Sequence, residues 1–326
     1  MDLLKNKMSY KLKIILILVV VLLALSFLLL NSQSIFNKNT EKVDIVTTLF
    51  PYYNFAKIIG GDKAGVSLLL PPGVEAHAFE PKPSDIFKIN SADIIVYTGD
   101  FMEPWAKDIL ASVNNEDLII VGVGEVGNLL SAKGGSAFGG KGSRDELDST
   151  GIDPHVWLDF NNSQLIADDI LSALIKKDPQ NSSYYIQNAD KLKKELGDLD
   201  NSFKIGLTSC QTRTLIYGGH YAFGYLVKRY NLNYLAAQGL APDSEPTAQD
   251  LARLINELKK NGIKYVFYEE LSSPKIAETI SEETGAQLLL LSTAEKITKK
   301  ELNNKVSFVD IMNNNLVNLK TGLQCQ

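Results

Sequence analysis

The sequence predicts an α/β protein of two lobes, each with a mainly parallel sheet covered by helices, bridged by one long rigid helix. Two observations support this prediction. Short apolar runs alternate with amphipathic stretches in both halves of the 326-residue chain, which is typical of parallel strands connected by helices. Between the halves, apolar residues repeat every three or four positions along one helix-length segment.

The first half has four apolar runs that predict strands, at residues 43–50, 66–70, 92–99 and 117–123. Helices are predicted at 50–61, 83–90 and 163–177, the first of them ended by a pair of glycines. Residues 131–151 are rich in Gly and Ser and lack an apolar period, which predicts a flexible surface loop.

The linking helix has the clearest pattern in the chain. A single apolar stripe is formed by Ala189, Leu192, Leu196, Leu199 and Phe203. With a start near residue 182 and a stop at 206, about 24 residues would extend roughly 36 Å. That length is enough to cross a small domain.

The second half repeats the alternation. A strand at 214–217 with a turn that extends to 219 is predicted first, followed by strands at 263–270 and 286–292. Helices are predicted at 222–230, 247–262, 273–285 and 308–323. The predicted domains are therefore an N-terminal signal or anchor with its tether (1–42), one lobe (43–181), the linking helix (182–206) and a second lobe (207–326).

The N-terminus predicts export or membrane anchoring. Four lysines precede the apolar run IILILVVVLLALSFLLL at residues 14–30. No small-x-small cleavage site follows the run and no cysteine lies near it, which favours an uncleaved anchor over a cleaved signal or a lipoprotein. The positive-inside rule places the rest of the chain outside the cytoplasm, at the cell surface or in the periplasm.

The cysteines and the net charge indicate a disulfide and argue against one class of partner. Cys210 and Cys325 are the two cysteines of the chain, and in an exported protein such a pair predicts a disulfide. The net charge is −5 and no cluster of Lys or Arg follows the N-terminus, which argues against a nucleic-acid partner.

The chain has three histidines, and their positions predict a ligand site. His77 follows the predicted strand 66–70, and His220 follows the strand that begins at 214. Ligands of open α/β sheets bind at this carboxyl edge of the strands. His155 belongs to the first half with His77, so a site that uses all three histidines must lie between the halves. Imidazole nitrogen is a ligand well suited to Zn²⁺.

The alternative is that the histidines are solvated surface residues. A shaped site is favoured because Pro or Gly lies within four positions of each histidine, and an aromatic residue follows each histidine within two positions. Three imidazoles need a fourth ligand to complete a tetrahedron. Spacing alone leaves six candidates open: Glu75, Glu80, Asp159, Glu269, Glu270 and Glu295. Glu295 is attractive because it follows the strand 286–292 at the same edge.

Several motifs resemble, in order, the zinc and manganese solute-binding proteins of ABC importers, sometimes called cluster A-I. They are the segment from LFPYYNF to PKPSD, DPHVWLD, HYAFGYL, SEPTAQDL and VFYEELSSPKIAETISEETGAQLLLL. The resemblance covers about residues 43–325 and implies two α/β lobes bridged by a rigid helix, with the metal between them. It implies the metal ligands His77, His155, His220 and Glu295.

The resemblance also implies a function. Histidine at the third ligand position is similar to the zinc subgroup, whereas the manganese proteins tend to have glutamate there. We therefore expect a monomeric, high-affinity zinc-binding receptor outside the cytoplasm that delivers Zn²⁺ to an ABC permease and is not an enzyme. The loop 131–151 departs from many zinc members because it contains no histidine.

Three alternatives remain at this point. The first is a manganese receptor of the same family, and the second is a surface adhesin stabilised by its metal. The third is a zinc hydrolase with Glu295 as general base. The hydrolase is disfavoured because no HExxH motif is present and the candidate ligands are spread over both halves.

Overall fold

A computed structural model describes residues 42–124, 126–127, 129–131, 151–240, 246–269 and 274–326. Residues Lys42–Gln326 form one compact unit. The described residues form two four-stranded parallel sheets with helices around them. This confirms the predicted two-lobe α/β fold class.

The first sheet has the strand order β2-β1-β3-β4. All its neighbours pair in parallel, and Ile45 lies opposite Val66 on one side and Ile94 on the other. Its elements are β1 (Val43–Thr47), α1 (Phe50–Gly60), β2 (Ala64–Leu68), α2 (Pro83–Ser91), β3 (Ile94–Tyr97), α3 (Ala106–Ser112) and β4 (Ile119–Gly122). The central strands are apolar on both faces because helices cover both sides of a parallel sheet.

Two long helices follow the first sheet, α4 (Phe160–Lys177) and α5 (Ser182–Gly206). All five residues of the predicted stripe on α5 are buried. The helix packs against α1 and α4 and, near its end, against the C-terminal helix of the chain. Helix α5 therefore contacts elements that cover both sheets.

The second sheet repeats the order of the first, as β6-β5-β7-β8. Its elements are β5 (Thr214–Tyr217), α6 (Gly224–Arg229), β6 (Asn233–Ala236), α7 (Ala248–Asn261), β7 (Tyr265–Tyr268), α8 (Lys275–Thr284), β8 (Gln287–Leu290), α9 (Lys299–Asn303) and α10 (Phe308–Gly322). Helices α7 and α8 end at Gly262 and Gly285, which adopt the left-handed conformation usual for a terminating glycine.

The sequence missed three short elements, α3, β6 and α9. Strand β6 reads NYLA, and only its last residue is buried, so no apolar run marks it. Helix α9 has five residues, too few for an apolar period, and begins at a capping box between Thr298 and Glu301. Five of the seven predicted strands are longer than the observed ones by three or four residues. The strand predicted at 214–217 coincides with β5, and the one predicted at 66–70 has the length of β2 but lies two residues later.

One apolar core extends through both halves. Its largest cluster includes Trp157 and Phe160 after the first sheet, Phe203 of α5, and Phe223 and Phe308 from the second half. A disulfide joins Cys210 to Cys325, the pair expected from the sequence. This bond ties the C-terminal tail to the segment that follows α5.

Two expectations lie outside the described residues. The proposed anchor at 14–30 with its tether is one, and the loop expected at 131–151 is the other, apart from its two end residues. Within the described ranges, no helix combines the length and apolar character that crossing a bilayer requires. The domain boundaries at 181/182 and 206/207 remain predictions.

Candidate metal centre

The three histidines and Glu295 converge on one point between the halves. One potential ligand atom from each of His77, His155, His220 and Glu295 lies within 4.8 Å of the others. The side chains of His155, His220 and Glu295 are fully buried, and His77 is half-buried. The structure thus brings together the four residues named from the sequence, and their binding of a metal remains a proposal.

His77 is positioned by the loop that follows β2. Gly73 has φ +82°, and Val74 N–H donates to Pro71 O at 3.1 Å, which closes a turn with Pro72 and Gly73 at its centre. This Pro-Gly pair suits a type II turn, because Gly tolerates the positive φ at the third position. Further along the loop, the Nε2 atom of His77 is buried and has no hydrogen-bond partner among the described residues.

His155 is oriented by the acidic residue two positions before it. Asp153 Oδ1 accepts a hydrogen bond from the backbone N–H of His155 at 3.0 Å and lies 2.7 Å from its Nδ1. A proton on Nδ1 directed at this carboxylate leaves the lone pair on Nε2. The motif DPH therefore supplies a candidate ligand and the group that fixes its tautomer.

His220 has the same arrangement, built from two strands. It follows β5 through Gly218 and Gly219, and its Nδ1 lies 2.9 Å from Oε2 of Glu269, which directly follows β7. A Cβ at Gly219 would lie 2.7 Å from the ring of Tyr217, and one at Gly218 would lie 2.6 Å from the Cβ of Ala277. The glycine pair is thus required by the close approach of the strand end to its neighbours.

Glu295 belongs to a loop of the second half that is attached to the first half. Phe50 N–H donates to Glu295 O at 3.1 Å, Gly73 N–H to Ile297 O at 3.0 Å, and the indole Nε1 of Trp157 to Thr293 O at 2.8 Å. Oε2 of Glu295 lies 3.8 Å from Nε2 of both His155 and His220. Neither carboxylate oxygen accepts a hydrogen bond from any residue in the described part of the chain.

Lys296 neutralises part of the charge around the site. Its Nζ lies 2.5 Å from Glu75 Oε2, 3.2 Å from Glu269 Oε1 and 3.6 Å from Glu295 Oε1. These three carboxylates form a second cluster of potential ligand atoms beside the histidines. We call Glu75, Glu269 and Glu295 the acidic cluster.

The buried charges shift the pKa values of the site in opposite directions. Burial and the neighbouring imidazoles lower the pKa of His77 well below its usual value. Burial also lowers the pKa of His220, but the charge of Glu269 and its hydrogen bond outweigh this and raise it to about 9.

The pKa values of Glu295 and Glu269 are also shifted in opposite directions. Burial raises the pKa of Glu295 above its usual value, although the charge of His220 acts in the opposite direction. Burial acts on Glu269 too, but His220 and Lys296 lower the pKa of Glu269 to about 2. Glu269 is therefore ionised at neutral pH.

The other carboxylates considered from the sequence have different surroundings. Glu75 pairs with Lys296, Glu80 is exposed, and Asp159 caps α4 by accepting a hydrogen bond from Asn161 N at 2.8 Å. Glu270 lies outside the described residues. Glu269 orients His220, a role that the sequence did not suggest.

Sequence reasoning also missed Asp153 and Lys296. Asp153 had a usable signal, because an acidic residue two positions before a candidate ligand is well placed to bond its Nδ1. Lys296 had none, because its partners Glu75 and Glu269 are remote in the sequence and meet only in the folded chain.

Two parallel-sheet lobes with three imidazoles and one carboxylate converging between them define a two-lobed protein with a candidate site for a divalent metal ion. The comparisons with known proteins agree with this class. The family described as ZnuA, zinc-uptake complex component A periplasmic, matches residues 45–322. The chain therefore belongs to this family.

Similar proteins carry related names. The chain is 35% identical over 292 residues to the high-affinity zinc uptake system protein ZnuA of Bacillus subtilis, which covers 87% of this chain and 88% of that protein. It is 35% identical over 289 residues to the zinc-binding protein AdcA of Streptococcus pyogenes serotype M18, covering 86% of this chain. The chain spans 56% of that AdcA.

A solved structure shows the same fold. The crystal structure of the Zn(II)-bound ZnuA-like domain of Streptococcus pneumoniae AdcA aligns with a TM-score of 0.72 at 31% sequence identity. The alignment covers 86% of this chain and 99% of that domain.

Proposed function

We propose that this protein is an extracytoplasmic receptor that binds Zn²⁺ through His77, His155, His220 and Glu295 and delivers it to an ABC import permease. The observation that carries the proposal is the convergence of these four side chains, with potential ligand atoms within 4.8 Å of one another. The family membership supports zinc as the cargo and uptake as the purpose.

The kinds of ligand atom support zinc over manganese. Three imidazole nitrogens and one carboxylate oxygen suit a tetrahedral Zn²⁺ ion. Mn²⁺ prefers more oxygen ligands and a higher coordination number. Because Asp153 and Glu269 hold Nδ1 of two imidazoles, the Nε2 atoms are the ones directed at the ion.

A carrier is supported over a catalyst by the number of protein ligands. Catalytic zinc sites keep one position open for a water molecule, whereas four protein ligands close the site. A closed site binds the ion without activating a nucleophile. We therefore propose a substrate-binding receptor, with the permease as the component that takes up the released ion.

The location follows from the proposed anchor. We propose that the apolar run at 14–30 keeps the protein at the membrane, near its permease, and that the protein is a monomer. Separation of membranes from soluble material should recover the full chain with the membranes. A variant lacking residues 1–42 should be soluble, and its sedimentation should give the mass of one chain.

The site is tested by zinc titration of the purified full chain, by calorimetry or against a chromophoric chelator. One Zn²⁺ should bind per chain, and His220→Ala should weaken binding by orders of magnitude while thermal unfolding shows a folded apo-protein. If His220→Ala binds zinc with the same calorimetric affinity as the unaltered chain, the proposed site is wrong.

Two glutamates offer a matched comparison. Glu295→Gln should weaken zinc binding, whereas Glu278→Gln on the exposed face of α8 should not. Competition between Zn²⁺ and Mn²⁺ for the unaltered chain decides between the two cargoes, and preference for Mn²⁺ would argue for a manganese receptor instead.

A further inference from the structure

Lys296 lies deep in the site, beside a residue proposed to bind the metal. Its side chain is 4% exposed, and those of Glu269 and Glu295 are 3% and 0% exposed. Burying an ammonium group is costly unless it is paired, and Lys296 is paired with three carboxylates. A surface lysine could provide solubility at no such cost, so the position of Lys296 calls for another explanation.

The contacts of Lys296 divide the oxygens of two carboxylates. Lys296 Nζ lies 3.6 Å from Oε1 of Glu295, while Oε2 lies 3.8 Å from Nε2 of His155 and of His220. In Glu269, Oε1 lies 3.2 Å from Lys296 and Oε2 lies 2.9 Å from Nδ1 of His220. Each carboxylate thus directs one oxygen towards the ammonium group and the other towards the histidines.

We infer that Lys296 is a specificity-determining residue, which holds Glu295 to one metal-facing oxygen and fills the acidic cluster with a tethered cation. The site then accepts a four-coordinate ion and disfavours a cation that needs more oxygen ligands, such as Mn²⁺. This inference rests on the proposed function.

The coordination preferences of the two ions give the physical reason. A carboxylate that binds through both oxygens raises the coordination number, and hard cations such as Mn²⁺ favour sites of this kind with several oxygens. Without Lys296, Glu295 Oε1 would be free to bind the ion. Glu75 and Glu269 would then add oxygen-rich negative charge next to three imidazoles.

The test compares Zn²⁺ and Mn²⁺ binding in the unaltered full chain and in two variants. Lys296→Met removes the ammonium group with little change in length. Lys296→Met combined with Glu75→Gln removes one positive and one negative charge, so the net charge around the site is unchanged. This double variant can be measured even if Lys296→Met alone does not fold. Lys300→Met, an exposed lysine four positions further along, is the matched control.

We expect both Lys296 variants to shift the ratio of Zn²⁺ to Mn²⁺ affinity towards Mn²⁺ by at least about tenfold, the size of change usual when a group supporting a metal ligand is removed. X-ray absorption of the Mn²⁺-loaded variants should show at least one more oxygen neighbour than the unaltered chain. Lys300→Met should match the unaltered chain in both measurements.

A purely structural role for Lys296 predicts a different result. The folded double variant would then keep the affinity ratio within about twofold and the same number of metal neighbours, and this result would overturn the inference. Failure of the proposed function is distinguishable, because the unaltered chain itself would then bind no zinc or would bind it independently of His220.

Discussion

The Nε2 atoms of His155 and His220 lie 3.2 Å apart inside the molecule, although the residues are 65 positions apart in the chain. Each imidazole has its Nδ1 within hydrogen-bonding distance of a carboxylate, Asp153 for one and Glu269 for the other. Two neutral rings oriented this way would direct two lone pairs at each other. A proton shared between the Nε2 atoms relieves this repulsion, and the raised pKa of His220, about 9, agrees with it.

Zinc binding should therefore release a proton. At pH 7.5 we expect about one proton per Zn²⁺, because the ion needs the neutral form of His220. His77 should contribute none, since its pKa is lowered well below the usual value and the ring is already neutral. Calorimetry in buffers of different ionisation enthalpy measures the number of protons released.

Release of this proton also sets the pH dependence of zinc binding. Zinc affinity should rise about tenfold per pH unit between pH 7 and 8.5 and level off above the pKa of His220, about 9, where the proton is already absent. An affinity that stays constant between pH 7 and 8.5, with no proton released, would contradict the shared proton.

The carboxylates behind the histidines should be needed for affinity. Asp153→Asn and Glu269→Gln keep the shape of each side chain but remove the charge that makes the imidazole a better ligand. Each should weaken zinc binding about 10- to 100-fold while the apo-protein remains folded. Calorimetric zinc titration checks this, with the exposed Glu278→Gln as control, and an unchanged affinity would show that the charges contribute nothing.

Glu269→Gln should also change the proton count. Glu269 is the main cause of the raised pKa of His220, so its removal should lower that pKa and reduce the protons released at pH 7.5. A loss of affinity with undiminished proton release would mean that another group carries the proton.

The periodic parts of the fold could be predicted from the sequence, and the pairings inside the site could not. The stripe on α5 and the histidines after β2 and β5 follow from local pattern and from the rule that ligands bind at the carboxyl edge of parallel strands. Strand β6 has no such pattern and forms because β5 offers it a partner. The contact of Lys296 with Glu75 spans 221 positions, so only the folded chain brings the two together.

The indole of Trp157 should stabilise the loop that carries Glu295. Trp157→Phe leaves the buried Thr293 carbonyl without its 2.8 Å hydrogen bond, which should lower the free energy of unfolding by about 1 to 3 kcal/mol. Zinc affinity should also fall, because the loop becomes less firmly held. Urea unfolding and zinc titration measure the two effects.

Trp105→Phe is the matched control for this substitution. Trp105 Nε1 is buried and has no hydrogen-bond partner within the ranges that the structure describes. The same change there removes ring volume but none of the hydrogen bonds seen in those ranges. Equal losses of stability in the two variants, with zinc affinity unaffected in both, would assign the role of Trp157 to packing alone.

The disulfide should contribute to stability but not to zinc affinity. Cys210 and Cys325 close a loop across 115 positions, and replacing both by Ser should lower the free energy of unfolding by about 3 to 5 kcal/mol. The bond joins segments that contain none of the four candidate ligands, so the zinc affinity of the folded variant should change little. Denaturant unfolding measures the first effect, and finding two free thiols in the unreduced, unfolded protein would contradict the bond.

Glu103 should make the stability of the apo-protein depend on pH. Its fully buried carboxylate accepts hydrogen bonds from Thr48 Oγ1 at 2.5 Å and from the backbone N–H of Gly99 at 3.0 Å. Burial nevertheless outweighs these bonds and raises the pKa of Glu103 from 4.5 to about 7. Because the folded state binds this proton more tightly than the unfolded state, the contribution is fully present below pH 4.5 and is lost as the pH rises through 7.

Glu103→Gln removes the titrating carboxyl, so comparison with this variant isolates the contribution of Glu103 to stability. A rise in pKa from 4.5 to about 7 corresponds to about 3 kcal/mol, so the free energy of unfolding of the unaltered chain, measured relative to Glu103→Gln, should fall by about that amount between pH 4.5 and 8. Urea unfolding of the metal-free proteins at a series of pH values measures this difference, in which the other titrating groups cancel. Glu116→Gln, at an exposed position, should run parallel to the unaltered chain throughout. If the difference between the unaltered chain and Glu103→Gln is the same at every pH, the carboxyl of Glu103 keeps an ordinary pKa and its hydrogen bonds fully offset its burial.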